Sequence, residues 1–468
     1  MAPENFYFGG GAAGTTMHPA VLAYTLFVAV LMLLLPRQHL FAPVAMATFL
    51  TPAGSQVYAA GFHFFAIRIV ILAFCSRLLL VRLMGRGVLL SGATSPADTT
   101  FLAWAICRGM AVILLHKDGG AVVNQIAFWL DAWGTYFVFR YSLRDYSDVL
   151  RALKVLAAII GVLAVFMVYE HRTGLNLCNY YSTSTIVPSV REEGGGIRAQ
   201  ASFATSISAG GFGATLLPLF FWLWKRGKAR VLGLVGLVAS ILVTLSSESA
   251  TPLSACLGGI LALSLWPMRK HMRKLRRGLA IAVACLALVM KAPVWYIIAR
   301  VDFIGGHGWD RAFLLDMFSQ HISSWWLVGT VDNASWGVTT WDLCNQFVAE
   351  AGSGGLATLV LFIAILYHAF RTIGLARNRA SGKRRQELLY WCMGCSLFAH
   401  IMMFQGLSYY DQIQTWWFAF LAMVPAAAAS MLMPARAGWP TSGGGSAIET
   451  GETEISVGLP QHAETAWG

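Results

Sequence analysis

From Val149 to Tyr169 the chain reads VLRALKVLAAIIGVLAVFMVY, and Glu170-His171-Arg172-Thr173-Gly174 follows directly. A nearly uninterrupted apolar stretch of this length matches the roughly 17–25 residues a helix needs to cross a bilayer. Comparable runs recur near 18–36, 59–84, 98–116, 121–140, 204–224, 231–247, 250–268, 278–299, 353–370, 387–407 and 412–434. A shorter run at 39–52 contains Pro43 and reads as a short helix or a re-entrant piece. The pattern predicts an all-α polytopic membrane protein with 12–13 transmembrane helices.

Composition agrees. Of 468 residues, 57% are hydrophobic and 12% are charged, against about 25% charged in soluble domains. Single soluble cores stop growing at roughly 250–300 residues and could not hide so much apolar surface. A soluble enzyme, a disordered chain and a disulfide-stapled secreted domain are all excluded. No basic segment precedes the first apolar run, so a cleaved signal peptide is not expected.

The net charge of +12 points to the membrane rather than to nucleic acid, because cytoplasmic loops collect Lys and Arg. Five basic clusters follow alternate spans: Arg82 and Arg86; Arg140 and Arg144; Lys225 to Arg230; Arg269 to Arg277; and Arg377 to Arg385. All five are therefore expected in the cytoplasm. Residues 1–434 read as the membrane domain, and the Gly/Ser-rich segment 435–468 as a disordered cytoplasmic tail. Two longer connections, about 170–203 and 300–351, fall on the extracytoplasmic side, and long connections of this kind are usually functional.

Those two loops carry the candidate chemistry. Arg172, Arg191 and Arg198 lie in the first and Arg311 in the second, on a side of the membrane where basic residues are depleted. Arginine grips phosphate oxygens through a planar fork and stays charged, and glycine-rich turns such as Gly194-Gly195-Gly196 and Gly305-Gly306 can add backbone amides. The set suggests an anionic headgroup, such as a diphosphate, held at the membrane surface; pairing with Glu192, Glu193, Asp310 and Asp316 is the alternative use. His307, between glycines, is a candidate general base or phosphate ligand. Asp342, Asn345 and Glu350 lie where the second loop returns to the membrane, in position for an acceptor site, although Asp342 could simply cap a helix. Six tryptophans (Trp295, Trp309, Trp325, Trp326, Trp336 and Trp341) suit an interfacial belt, with sugar stacking open to one or two.

Ionisable residues also fall within spans: Arg68, Arg77, Arg108, Asp131, Glu248, Lys291 and His400. Such groups normally face the protein interior or a water-filled cavity, and an Arg68–Asp131 pair is one arrangement. Cys392-x-x-Cys395 has a redox or metal spacing without a second pair or a His cluster, which favours core packing. Cys178 and Cys344 sit in the two loops, where a disulfide between them is conceivable.

Over residues 150–370 the chain resembles the O-antigen ligase/O-antigen polymerase superfamily of bacterial membrane glycosyltransferases. Arg198-Ala199-Gln200-Ala201-Ser202-Phe203 before a glycine-rich span, and Leu245-Ser246-Ser247-Glu248-Ser249, carry the likeness. Asp310-Arg311, Trp326-Leu327-Val328-Gly329 and the approach to Gly355 extend it. Where ligases carry His-Asn, this chain reads Trp341-Asp342-Leu343-Cys344-Asn345, closer to a polymerase-like or divergent member.

The resemblance implies metal-independent glycosyl transfer, with no cofactor, at the outer face of the bacterial cytoplasmic membrane. The donor would be a polyprenyl-diphosphate-linked oligosaccharide and the acceptor a glycan or lipid. Other polysaccharide assembly proteins would be its partners, and nucleic acid would not. Arg198 and Arg311, with Arg191 and Arg172, would hold the diphosphate; His307, Glu350 or Asp342 would take the acceptor proton. A lipid-linked glycan flippase or polytopic transporter is the competing class, although no internal repeat of the kind common in transporters stands out.

Overall fold

The computed structural model describes residues 14–59, 62–84, 95–182, 189–190, 196–225, 229–297 and 308–432. Arg191, His307 and the expected tail at 435–468 lie outside these residues. Among the described residues, helices α1 (Pro19–Leu34), α2 (Phe41–Phe49), α3 (Ala66–Leu83), α4 (Pro96–His116) and α5 (Gly119–Ser142) form the N-terminal third. They are followed by α6 (Tyr146–Thr173), α7 (Ser206–Lys225), α8 (Arg230–Ser246), α9 (Ala250–Ser264) and α10 (Met272–Val289). The C-terminal part adds α11 (Gly308–Gln320), α12 (Ile322–Trp325), α13 (Gln346–Arg379), α14 (Arg384–Phe404) and α15 (Asp411–Leu432). Among the described residues, strands pair in two small antiparallel hairpins, β1 (Gln56–Ala59) with β2 (Phe62–Phe65) and β3 (Ser189–Val190) with β4 (Ile197–Arg198), besides an isolated bridge between Met17 and Ser182.

Among the described residues, six helices (α4, α6, α7, α13, α14 and α15) are long and apolar enough to cross a membrane. A seventh span results if α9 and the segment Trp266–Val289, bent by 73°, count as one. The chain is an all-α, multi-pass membrane protein. Helices α1 and α8 are apolar but shorter, while α3 and α5 carry Arg68, Arg77, Arg82, Asp131 and Arg140 among their apolar residues.

Local signals explain where helices begin and end. Ser95 and Asp98 form a reciprocal capping box at the start of α4, with Pro96 in its first turn. Asp145 caps α6, and Gly174 closes it at φ +75°. Asn345 caps α13 by accepting from the amides of Phe347 and Val348. Within α13, Gly355 adopts φ 72° and ψ −170°, which breaks the helix. The break is filled by the loop before it: Thr330 N–H donates to Gly352 C=O and Leu356 N–H to Trp326 C=O, each at 2.8 Å.

Helix α7 is the hub, packing on α8, α9 and α14. Its small residues Gly210, Gly211 and Gly213 allow this; a Cβ at Gly213 would meet the Ser240 carbonyl oxygen at 2.8 Å. Close approach through small residues is the usual route to helix association in lipid. Around it runs one continuous core containing Phe49, Phe203, Phe212, Phe220, Trp222 and Trp416.

The two ends of the bundle differ in charge. At one end Arg140 holds Asp98 at 2.9 Å, Arg37 holds Asp148 at 2.8 Å with Arg151 also on it, and Arg269 holds Glu387 at 2.9 Å. The C-termini of α5, α7, α9 and α13 gather here, as Trp222 Nε1 donating to Arg385 C=O and Arg379 donating to Met431 C=O show. Away from this end, Arg68 grips Asp131 through Nε and Nη2 at 2.6–3.1 Å, so the pair suggested by sequence forms. Cys178, Cys344, Cys392 and Cys395 are all free thiols. No metal-holding group of His, Cys, Asp and Glu occurs among the described residues.

Candidate functional site

The opposite end collects the α6–α7 connection, the α8–α9 turn, the segment 308–345 and the α14–α15 turn. Its organiser is Glu170, in the last turn of α6 and 0% exposed. The carboxylate accepts from the backbone amides of Ala201 (2.7 Å) and Gln200 (3.1 Å) and from Asn176 Nδ2 (3.1 Å). Ala201 is held at φ +49°, a conformation costly for a residue with a Cβ. The returning chain is thereby fixed, and Ala199 N–H donates to Ser246 C=O at 3.0 Å. Arg198, half-buried, is thus stationed beside the α8–α9 turn.

The remaining arginines reach the same turn from other directions. Arg172 and His171 line a cleft of about 330 Å³ with Val168, Ser246, Glu248, Ser249 and Leu253. His171 Nδ1 donates to Ile197 C=O at 2.8 Å, and its Nε2 lies 3.9 Å from Glu248 Oε1. Glu248 itself is strained at φ +45°, a feature that clusters at functional sites. Arg311, in the first turns of α11, donates through Nη2 to Thr251 Oγ1 at 2.8 Å. A Cβ at Gly406 would come within 3.0 Å of its guanidinium carbon, so a bare α14–α15 turn makes room for the side chain. Arg172, Arg198 and Arg311 are therefore each placed near one short turn, Ser246–Thr251.

Asp342 lies on the Arg311 side. Both are within electrostatic reach of Cys344, whose thiol is pushed up by burial and then by the Asp342 charge. Asp342 is exposed, yet partial desolvation raises its carboxyl above the usual range. Tyr410, also within reach of Asp342, donates to Thr205 Oγ1 at 3.4 Å. Asp342 does not cap α13, since Asn345 does that.

Glu350 is placed differently. It is 1% exposed, in a closed contact between α4 and α13. It accepts from Trp104 Nε1 at 2.9 Å and Gln346 Nε2 at 2.7 Å, with Arg108 Nη1 at 3.9 Å. Arg108 in turn lies over the Phe128 ring at 4.8 Å. The carboxylate faces neither the cleft nor Arg311, because three neighbours from α4 and its own helix enclose it. Gln346 also accepts from Tyr409 N–H, and Asn345 Nδ2 donates to Gln405 Oε1 at 3.3 Å, so this corner docks α13 onto the α14–α15 turn.

The tryptophans divide. Trp325 and Trp336 are buried, 3% and 6% exposed, against Phe318 and His321. Trp309, Trp326 and Trp341 are 59%, 51% and 71% exposed. Trp309 stacks on Phe313 two residues from Arg311, which leaves its other face open to a flat ligand.

Sequence reading missed Glu170 as the organiser and Thr251 as the Arg311 partner. A carboxylate at the end of an apolar run is a signal in itself, but the amides it binds lie about 30 residues on. Comparison of the chain with protein-family models and with curated proteins gave no match.

Proposed function

We propose that the protein is a glycosyltransferase that acts on polyprenyl-diphosphate-linked glycans outside the bacterial cytoplasmic membrane, polymerising or ligating surface polysaccharide units. The basic end of the bundle would then face the cytoplasm, with 12–13 crossings and both long loops outside. The observation that carries the reading is the convergence of Arg172, Arg198 and Arg311 on the Ser246–Thr251 turn. Three guanidinium groups at one end of a lipid-embedded bundle suit a doubly charged phosphate headgroup. Apolar Val168 and Leu253, in the cleft that Arg172 lines, suit the start of an isoprenoid chain.

In the reaction, the acceptor hydroxyl oxygen forms a bond to the anomeric carbon of the donor glycan. The anomeric carbon–phosphate oxygen bond breaks, and its electron pair leaves with the polyprenyl diphosphate. The arginines stabilise that developing charge, as preorganised donors do elsewhere. Asp342, beside Arg311, takes the acceptor proton, with His307 as the alternative base. Glu350 fixes α13 rather than moving protons. No metal is called for in these steps. Exposed Trp309 offers a stacking face for a sugar ring.

A lipid-linked glycan flippase is the second reading, and the broken helix α13 favours it, since transporters build sites at such breaks. The deciding experiment uses reconstituted protein with lipid-linked oligosaccharide, with and without EDTA. A transferase gives a longer or transferred glycan in both conditions, and Arg311→Ala or Arg198→Ala slows it by roughly 10²–10³-fold, the usual loss for one oxyanion-stabilising donor. Intact donor appearing on the other leaflet with no new glycosidic bond would establish the flippase instead.

A further inference from the structure

The basic end of the bundle contains an arrangement that the proposed reaction does not use. Arg269 lies over the Trp266 ring at 4.2 Å and donates to Glu387 Oε1 at 2.9 Å. Arg377, from the last turn of α13, lies over the Trp391 ring at 5.7 Å. Trp266 and Trp391 meet edge to face at 5.8 Å. Arg276, on α10, and Arg269 are both within electrostatic reach of Arg377, as is Glu387. Arg269 and Arg377 thus share one carboxylate, with Arg276 close to Arg377, and Glu387 already engages Arg269. Trp391 is 7% exposed, and its indole N–H has no hydrogen-bond acceptor among the described residues. A buried donor without a partner is uncommon and calls for one.

Helix α10 supplies the second half of the argument. Every residue from Arg276 to Val289 is exposed, and among the described residues nothing lies within 4 Å of a Cβ placed on Gly278. An apolar helix that touches so little protein has its side chains against lipid. Its basic first turns, Arg273, Lys274, Arg276 and Arg277, stand next to the arginine group described above. Cationic charge, an orphan indole donor and a bare apolar helix therefore adjoin one another.

We propose that this end of the bundle holds an anionic phospholipid, its phosphate gripped by Arg269, Arg276 and Arg377 and its acyl chains laid along α10. Charge complementarity selects the headgroup: a zwitterionic lipid brings its own cation into a region that already has an excess. The aromatic walls Trp266 and Trp391 fit the interfacial depth of a lipid phosphate. Basic segments beside a membrane gain roughly 1 kcal/mol per Lys or Arg from anionic lipid.

The test measures phosphatidylglycerol retention by the purified full-length protein, using native mass spectrometry after delipidation, with phosphatidylcholine as the neutral comparison. Wild type is expected to keep phosphatidylglycerol selectively. Arg276→Gln with Arg377→Gln is expected to weaken that affinity about 30-fold, the equivalent of two cations at roughly 1 kcal/mol each. Arg230→Gln, an exposed cation at the same end but on another helix, should change nothing. Size-exclusion profile and thermal midpoint in uncharged detergent report folding. If the double variant does not fold, exposed Arg276→Gln alone is expected to show a loss of about 5-fold. Equal retention by variant and wild type, or no preference over phosphatidylcholine, would overturn the proposal. Inorganic phosphate is the remaining arm: if millimolar phosphate stabilises the wild type as well as the lipid does, the site takes soluble anions and the lipid assignment fails.

Discussion

Replacing Glu170 by Gln removes a charge while keeping nearly the same shape, and the structure fixes what is lost. One carboxylate oxygen accepts from both Gln200 and Ala201 amides, and the other accepts from Asn176 Nδ2. A glutamine carbonyl can serve the two backbone amides, but its NH2 then faces the NH2 of Asn176. Asn176 cannot turn over to relieve the clash, because its Oδ1 accepts from Cys178 N–H and its Nδ2 also donates to Ala201 C=O. One buried polar contact is therefore left unmet, at a cost of about 1–3 kcal/mol. Because the helices of the bundle pack elsewhere, the cost falls on the 174–203 connection, as local opening. Limited proteolysis of this connection in detergent is the assay, under conditions where cleavage follows the open population. The cleavage rate should rise about 5- to 150-fold, which is 1–3 kcal/mol expressed as a population ratio. The thermal midpoint of the bundle should move little. Wild-type cleavage rates in Glu170→Gln would falsify the claim that this carboxylate holds the connection in place.

Other substitutions test separate parts of the structure. Arg140→Ala leaves Asp98, whose side chain is 8% exposed, without its cation, and should cost about 3–5 kcal/mol in global stability, read as a large fall in thermal midpoint; Arg140→Lys should recover part of it. Gly355→Ala forces a Cβ into φ +72° and against the Leu327 carbonyl, so a loss of about 1–3 kcal/mol is expected, measured by thermal unfolding against a Gly374→Ala control, where no atom of the described residues lies within 4 Å. For the proposed transfer, partial desolvation raises the Asp342 carboxyl above the ordinary range, and a base works only when deprotonated. Activity should therefore fall on acidification at a pH above that of an ordinary carboxylate, about 4. Asp342→Asn should abolish that acidic limb, and an unchanged pH profile would return the role to His307.

Some of this was readable from the chain alone, and the reason differs by residue. The runs around 149–169 and 412–434 name their helices because twenty apolar residues in sequence have few other places to go. Arg68 and Asp131 could be paired in advance since two opposite charges in apolar runs favour each other. Glu350 shows the limit: its position at a membrane re-entry suggested a proton acceptor, and only the facing surface of α4, with Trp104 and Arg108, encloses it. The buried and exposed tryptophans of 308–345 were likewise indistinguishable by sequence, because α11 and α12 give that segment an inside and an outside.

Sequence by itself determined the class of molecule and the uneven charge of its two ends, since hydropathy and Lys/Arg placement act locally along the chain. Tertiary structure alone decided which loop residues lie near the Ser246–Thr251 turn. Arg198 comes to that turn because Glu170 pins its connection, and Arg311 because Thr251 receives it, contacts between groups up to 60 residues apart. Hydrogen bonds across such separations depend on how helices pack, and nothing in the local order of residues specifies that.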